Sequence, residues 1–364
     1  MKKKILIISP QKWTNFFNSK HYYAIYLKKI GYEVYYLNPI NYIFSKQLKL
    51  CEIKQNEFNI KIINIKIYLP FKLLKFSKFA FEFFLNFSLK FRKINFDCIL
   101  NFDEKNFDII NFFNSKKKIF QVMDPMEKKI SSEQLSKIDY VITLSKKLIK
   151  LPSYKKVIYV SHGLSHLFYD KNKILKNKKY KKKIIGVYGN FMSGRFDLDS
   201  LNEVVIKNSN LIFEFYGNKS KFHPYTNKKK IKKLSKKILK INLHKNTIFH
   251  DNLSKNKLNN RLKRCDLFLY ISHLQKNIDA HKLLELISFG KPILTSKFQN
   301  YINNKNIIYF PKKNNANDFN LELNKILKNY KYFNKKEFRL LRKKFALNRA
   351  YETIIPIILK KINE

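Results

Sequence analysis

Short apolar runs alternate with helix-sized amphipathic stretches along most of this chain. Lys3–Ser9 is apolar and β-branched, the pattern of a strand covered on both faces. After the loop Pro10–Ser19 the spacing predicts a helix over about Lys20–Ile30 that stops at Gly31, and then a strand over Glu33–Leu37. Asp97–Phe102, Lys118–Val122 and Asp139–Leu144 continue the series, separated by helix-sized spacers. The lysine-rich stretch 171–183 has almost no apolar residues and reads as a linker. Beyond it the rhythm restarts. Strands are predicted at Lys183–Tyr188, Leu211–Tyr216, Thr247–His250, Pro292–Ser296 and Ile307–Phe310. Helices are predicted at Asp197–Asn208, Lys228–Lys240 and from Asn317 on, the last being Phe345–Ile362. Two rounds of β-α-β imply an α/β chain with two Rossmann-like halves. The expected division is 1–170, the linker 171–183, 184–335 and a C-terminal helical segment 336–364.

Composition adds a constraint on partners. The chain has 364 residues, enough for two cores, and its 45% hydrophobic content is that of a globular protein. Its 75 Lys+Arg against 26 Asp+Glu give a formal charge of +49. Part of that reflects AT-rich codons, since Lys, Asn, Ile, Phe and Tyr are all abundant. Whatever its origin, such a field draws a protein toward anionic membranes, phosphorylated carriers or nucleic acids. The apolar run after Met1-Lys-Lys-Lys is too short for a signal peptide, and no stretch reaches the roughly 20 apolar residues of a membrane span. Cys51, Cys98 and Cys265 are widely spaced and form no Cys-x-x-Cys, and the last two sit in or beside apolar strands as buried thiols do. A cytoplasmic, reducing location is expected, with no metal centre. Segment 70–95 interleaves lysine with dense Phe and Leu. Two readings fit it: a basic amphipathic helix lying on an anionic bilayer, or a helix that covers the sheet while its lysines snorkel outward. No Gly-x-Gly-x-x-Gly follows the first strand, which argues against NAD or FAD.

The chemistry concentrates in 277–296. Asp279 is a plausible N-cap, Gly290 stands where a left-handed residue ends a helix, and Pro292 cannot continue it. Leu283, Leu284, Ile287 and Phe289 bury one face. His281 and Lys282 lie in the first turn, where the macrodipole disfavours cations unless an anion is bound. Glu285, four and three residues on, shares their face. The plain alternative is a surface helix with a Lys282–Glu285 pair and a solvated histidine.

His281–Ser296 resembles the donor-binding segment of GT-B glycosyltransferases, nearest to the GT4-like bacterial type with "P-x-K-x-x-E-y-x-A-x-G-K-P-V-v". Glu285 takes the Glu of that pattern, Lys282 the Lys, and Gly290-Lys291-Pro292 the Gly-Lys-Pro. The resemblance implies that Glu285 binds the nucleotide ribose and that the helix start, with His281 and Lys282, faces the sugar diphosphate. Many relatives have a second Glu eight residues earlier, contacting the transferred sugar, where this chain has Asn277. Ile138–Phe168 is similar to the transition between the two GT-B domains and would place His162 near the cleft. Ile185-Gly-Val-Tyr-Gly-Asn resembles the opening of the second domain through Gly189, and Arg195 falls in the loop where many of these enzymes hold the diphosphate. A guanidinium suits that task, although Arg195 is also one cation among many. Trp13, Asn15 and His21 correspond to the acceptor-side loop, with packing and helix capping as their alternative roles. Asp124 follows the strand ending at Val122, where a related enzyme places a residue facing donor or acceptor. It would act as a base on the acceptor hydroxyl or hold the sugar; a turn-forming Asp before Pro125 is the other reading. The end of the chain matches the C-terminal helix that crosses back to the first domain, with Tyr351 in place of the usual Trp.

The implied fold is GT-B: two Rossmann-like domains facing a cleft. The implied activity is transfer of a sugar from a nucleotide diphosphate sugar to a lipid-linked or surface-polysaccharide acceptor, of capsule or lipopolysaccharide type, retaining and without cofactor or metal. Three alternatives stand beside it. An inactive nucleotide-sugar-binding protein would fit Asn277, and a nucleotide-sugar epimerase shares the architecture. A basic nucleic-acid-binding protein would account for the charge, but the lysines are spread along the chain and no nucleic-acid motif appears.

Overall fold

The computed structural model describes residues 2–14, 17–43, 51–68, 94–123, 126, 130–149, 156–168, 182–217, 228–251, 253–273, 280–304 and 306–364. Asn15, Asp124, Asn277, Asp279, segment 70–93 and linker residues 171–181 lie outside the described residues. The chain divides into two compact units, Met1–Ser161 with Tyr351–Glu364, and His162–Ala350. That division falls at Ser161 rather than in 171–183. Of the expected segment 336–364, only its last part joins the first unit.

The first unit contains β1 (Lys4–Ile8), α1 (Ser19–Lys29), β2 (Glu33–Leu37), β3 (Asn41–Ile43), β4 (Cys51–Gln55), β5 (Lys61–Tyr68), β6 (Cys98–Asn101), β7 (Lys118–Val122), α2 (Ser132–Ser136), β8 (Tyr140–Thr143) and β9 (Val157–Tyr159). Its sheet runs β3-β5-β2-β1-β6-β7-β8-β9 and is parallel, except that β4 pairs antiparallel with β5. Ile5–Ile8 are buried, as the continuous β-branched run demands of a strand covered on both faces. The β4–β5 hairpin turns at Asn56–Asn59, where the Asn56 side chain accepts from the N–H of Phe58 and Ile60 and Asn59 takes a left-handed φ of 57°.

The second unit contains β10 (Ile184–Tyr188), α3 (Leu198–Lys207), β11 (Ile212–Tyr216), α4 (Lys228–Asn242), β12 (Thr247–His250), α5 (Lys255–Leu262), β13 (Leu267–Tyr270), α6 (His281–Ile287), β14 (Ile293–Thr295), α7 (Ala316–Lys328), α8 (Tyr330–Phe333) and α9 (Lys336–Leu347). Its parallel sheet has the order β12-β11-β10-β13-β14, so the direction of winding reverses between β10 and β13. A crevice opens at the carboxyl ends of strands at such a reversal, and it is where open α/β sheets place ligands. Tyr188 and Tyr270 end those two strands.

Two expected elements differ. Ile307–Phe310 is not a strand: it contributes one bridge, Tyr309 to Leu294, because Pro311 and a turn leave no room for more. The helix expected over Phe345–Ile362 is broken at Asn348–Ala350 into α9 and α10 (Tyr351–Asn363). At the break Leu164 donates its N–H to the Arg349 carbonyl at 2.8 Å, so both ends of the second unit pair with each other. Within α10, Pro356 supplies no N–H to the carbonyl of Glu352 four residues back. The Tyr26 hydroxyl, from α1, donates to that carbonyl at 3.2 Å.

Arg342 is the largest fully buried side chain. Its guanidinium donates to the carbonyls of Ile307, Gly290 and Phe333 and to the Tyr309 hydroxyl, fastening α9 to the turn after α6.

Candidate functional site

The site in the second unit is built at the start of α6. Its N-cap is Ala280, one residue after the predicted Asp279, and it makes no side-chain cap hydrogen bond. Leu283, Leu284, Leu286 and Ile287 are buried, which seats the helix and turns Glu285 inward with them. Glu285 is only 1% exposed. A carboxylate in that position needs compensation, and three groups supply it. His281 Nδ1 lies 3.3 Å from one carboxylate oxygen, and Lys282 Nζ lies 2.9 Å from the other. The Tyr188 hydroxyl, at the end of β10, accepts from Lys282 and hydrogen-bonds to Glu285. Lys282 also sits 4.6 Å from the Tyr188 ring centroid. The residues that the sequence put on one helical face are thus brought together around one carboxylate.

Burial works to raise the Glu285 carboxyl, but Lys282 and His281 overcome it and hold the group below the ordinary carboxylate range. Burial drives His281 down to about 4, so its ring is neutral near pH 7. With Nδ1 toward Glu285, its Nε2 is an acceptor with no hydrogen-bond partner among the described residues. The His162 ring meets His281 edge-on at 5.7 Å. His162, expected near the cleft, belongs to the second unit and joins this cluster. Lys255, the first residue of α5, is lowered to about 8, chiefly by burial, and feels both Glu285 and Lys282. Among the described residues the site therefore gathers Lys282, Lys255 and two histidines around the Glu285 carboxylate, which favours an anionic ligand.

Arg195 is exposed in the loop between β10 and α3 and acts electrostatically on Tyr270, as does Lys282. Its backbone is fixed by Ser193 Oγ on one side and by the N–H of His273 on the other. Gly189 lies at the base of that loop. A Cβ there would stand 2.5 Å from the Phe196 ring, so only glycine lets the loop close down on β10. Tyr188, Tyr270 and Lys255 carried no local signal of a site. The tyrosines read as ends of apolar strands, and one lysine is hidden among 75 Lys+Arg.

In the first unit, Trp13 packs edge-on against His21 and Tyr36, each at 4.9 Å, and donates its backbone N–H to Asn38. His21 accepts from the N–H of Asn18 in a capping box at the start of α1 and stacks on Tyr36. Trp13 and His21, the described candidates of the first unit, thus have packing or capping partners.

Residues 170–340 match the family model described as glycosyl transferases group 1. No curated protein matches the sequence. Among solved structures, a glycosyltransferase from Rickettsia africae is similar at TM-score 0.68 and 14% identity, over 99% of this chain and 98% of that one. HepE of Anabaena in complex with UDP and glucose is similar at TM-score 0.66 and 12% identity, over 98% and 99%. WaaG, a glycosyltransferase involved in lipopolysaccharide biosynthesis, is similar at 0.62 and 13%, over 98% and 99%. At these identities the likeness establishes the fold, that of the two-domain GT-B glycosyltransferases.

Proposed function

We propose that this chain, whose residues 170–340 match the glycosyl transferases group 1 model, is a glycosyltransferase that moves a sugar from a nucleotide diphosphate sugar to a lipid-linked or surface-polysaccharide acceptor. The observation that carries the donor assignment is Glu285, buried at the winding reversal and ringed by Lys282, His281 and Tyr188. Of the proteins similar in fold, HepE has been seen in complex with UDP and glucose, and WaaG is involved in lipopolysaccharide biosynthesis.

In this reading a donor rearranges the cluster. Each Glu285 oxygen already has a donor and keeps lone-pair capacity, but the burial of the group makes room for ribose hydroxyls depend on a partner moving aside. Lys282, whose side chain is 39% exposed, is the free-moving partner. It exchanges Glu285 for the diphosphate, a better match for its charge, and Glu285 accepts the ribose hydroxyls. Lys255 and Arg195 add positive charge where the leaving diphosphate builds up negative charge, and fixed cations of this kind are usually the largest catalytic term. His281 Nε2 offers an acceptor to a sugar or ribose hydroxyl. Asp124 is proposed as the group acting on the acceptor hydroxyl. The transfer is expected to be retaining and to need no metal.

A thermal-shift and calorimetric panel of UDP, GDP, CDP and dTDP at moderate salt tests the donor site, with free phosphate and short DNA as controls. Stabilisation by one diphosphate, lost in Glu285→Ala, supports it and names the base. An equal response to every anion sinks it. With that donor in hand, sugar release that depends on an added glycan acceptor separates a transferase from an epimerase or an inactive binder, and unchanged turnover in EDTA tests metal independence.

A further inference from the structure

Helix α4 carries an outward face that the donor site does not use. Eight of its fifteen residues are lysine and none is acidic. Its inner face is firmly seated: Leu234, Ile238 and Ile241 are buried in the core of the second unit. Its C-terminal end is tied down as well. His244 Nε2 lies 3.0 Å from Asn202 Oδ1, and Asn246 donates to the carbonyls of Val205 and Asn208. One acidic neighbour, Asp199, pairs with Lys237 at the side of the helix.

On the opposite side, Lys232, Lys236, Leu239 and Leu243 follow one another at spacings of four, three and four, which sets them in a single stripe along the helix. Leu239 is 62% exposed and Leu243, just past the helix end, 82%. Leucines left in water within a field of lysines stabilise nothing in the folded unit. A helix that needed only a solvated face would carry polar residues there. Basic side chains flanking bare leucines match the headgroup region of an anionic bilayer. Lysines meet the phosphates there, and leucines enter the boundary with the acyl chains. Nucleic acid would use the lysines but has no place for the leucines.

We propose that the outer stripe of α4 is a docking surface for an anionic bilayer. This surface lies in the second unit and is separate from segment 70–95. It stands on the exposure and charge of α4 alone, so it holds or fails independently of the donor assignment.

The test is co-sedimentation of the full chain with vesicles of phosphatidylglycerol in phosphatidylcholine, compared with phosphatidylcholine alone, at low and raised salt. Four proteins are compared: wild type, Leu239→Ser with Leu243→Ser, Lys232→Gln with Lys236→Gln, and Lys147→Gln with Lys313→Gln, which removes the same charge elsewhere. All four should keep the wild-type circular dichroism, since every substituted side chain is exposed. We expect the leucine pair to lower partitioning onto anionic vesicles about tenfold, most visibly at raised salt, where burial persists and charge is screened. The Lys232/Lys236 pair should lower it more than the charge-matched control. Equal binding by wild type and the leucine pair, or equal loss in the two lysine pairs, overturns the proposal in favour of smeared charge. Tighter capture by a short DNA duplex, lost with Lys232 and Lys236 but indifferent to the leucines, overturns it in favour of nucleic acid.

Discussion

Glu285 is held from three sides before any ligand arrives, which fixes what each substitution around it should do. Lys282→Gln removes the partner proposed to move to the diphosphate, so nucleoside diphosphate affinity should fall about tenfold or more while nucleoside affinity changes little, read by calorimetry. Lys255 gives the binding a pH signature. Its charge is lost as pH rises through about 8 in the free protein, so affinity for the diphosphate should weaken between pH 7 and 9. Lys291, also lowered to about 8, titrates in the same range. Lys255→Gln therefore serves as the control: a pH profile as steep as wild type in that variant refutes the assignment. His281 acts on stability in acid. Its native pKa lies below its ordinary 6.5, so the unfolded chain binds the proton first and stability falls as pH drops from about 6.5 toward 4. Glu285, with a lowered pKa, loses its own contribution further down, so the two effects have the same sign. His281→Asn should flatten the upper part of that acid limb in denaturation midpoints. Arg342 is a different kind of residue. Arg342→Met strands three carbonyls and a hydroxyl in the interior and should cost about 3–5 kcal/mol. Arg342→Lys should recover only part of that, because an ammonium cannot reproduce the fork.

Among the elements, β1, β2, β6, β7 and β8 of the first sheet and β10, β11, β12 and β14 of the second were legible because each is a short apolar run bounded by turn residues, whereas β3, β4, β5, β9 and β13 were not predicted. Glu33–Leu37, Lys118–Val122 and Thr247–His250 form over the predicted residues. The elements that differ were set by contacts a local pattern does not carry. Ile307–Phe310 has strand composition, but its backbone groups go partly to Arg342, and Tyr309 alone bridges to β14. The break between α9 and α10 comes from the pairing of Arg349 with Leu164, far away in sequence. The cluster at α6 was readable as far as helical spacing reaches, through His281, Lys282 and Glu285. Tyr188 comes from another strand and Lys255 from another helix, so neither was. Pro356 offers a test at this scale. Tyr26→Phe should cost about 1 kcal/mol by leaving the Glu352 carbonyl without its donor. In a Pro356→Ala background the helix supplies its own N–H, and the same change should be nearly neutral. An unchanged cost in that double-mutant cycle would show that Tyr26 does something else.

At the scale of the molecule, the +49 charge is a burden on folding as well as a lure for anions. Like charges spread over both units repel most at low ionic strength. The unfolding midpoint should therefore rise as potassium chloride increases from a few millimolar to physiological strength, where the screening length falls to about 8 Å. A flat or falling midpoint over that range, by scanning calorimetry without phosphate, would show that the lysines are already compensated within the fold. No helix among the described residues is long and apolar enough to cross a membrane. The surface charge, the stripe on α4 and the cluster around Glu285 are thus three separate features of one chain through which it is proposed to meet anions.

The pairing of Leu164 with Arg349 and Ala350 has a consequence for how such a protein can be altered. The second unit begins and ends at neighbouring points, so it is strung into the chain as a closed loop on a narrow stem. A module attached in that way can be exchanged as a cassette. Recombination that swaps His162–Ala350 for a homologous unit would need two junctions that lie side by side at the stem. The proposed donor site, whose named residues all belong to that loop, would then be inherited separately from everything encoded on either side of it.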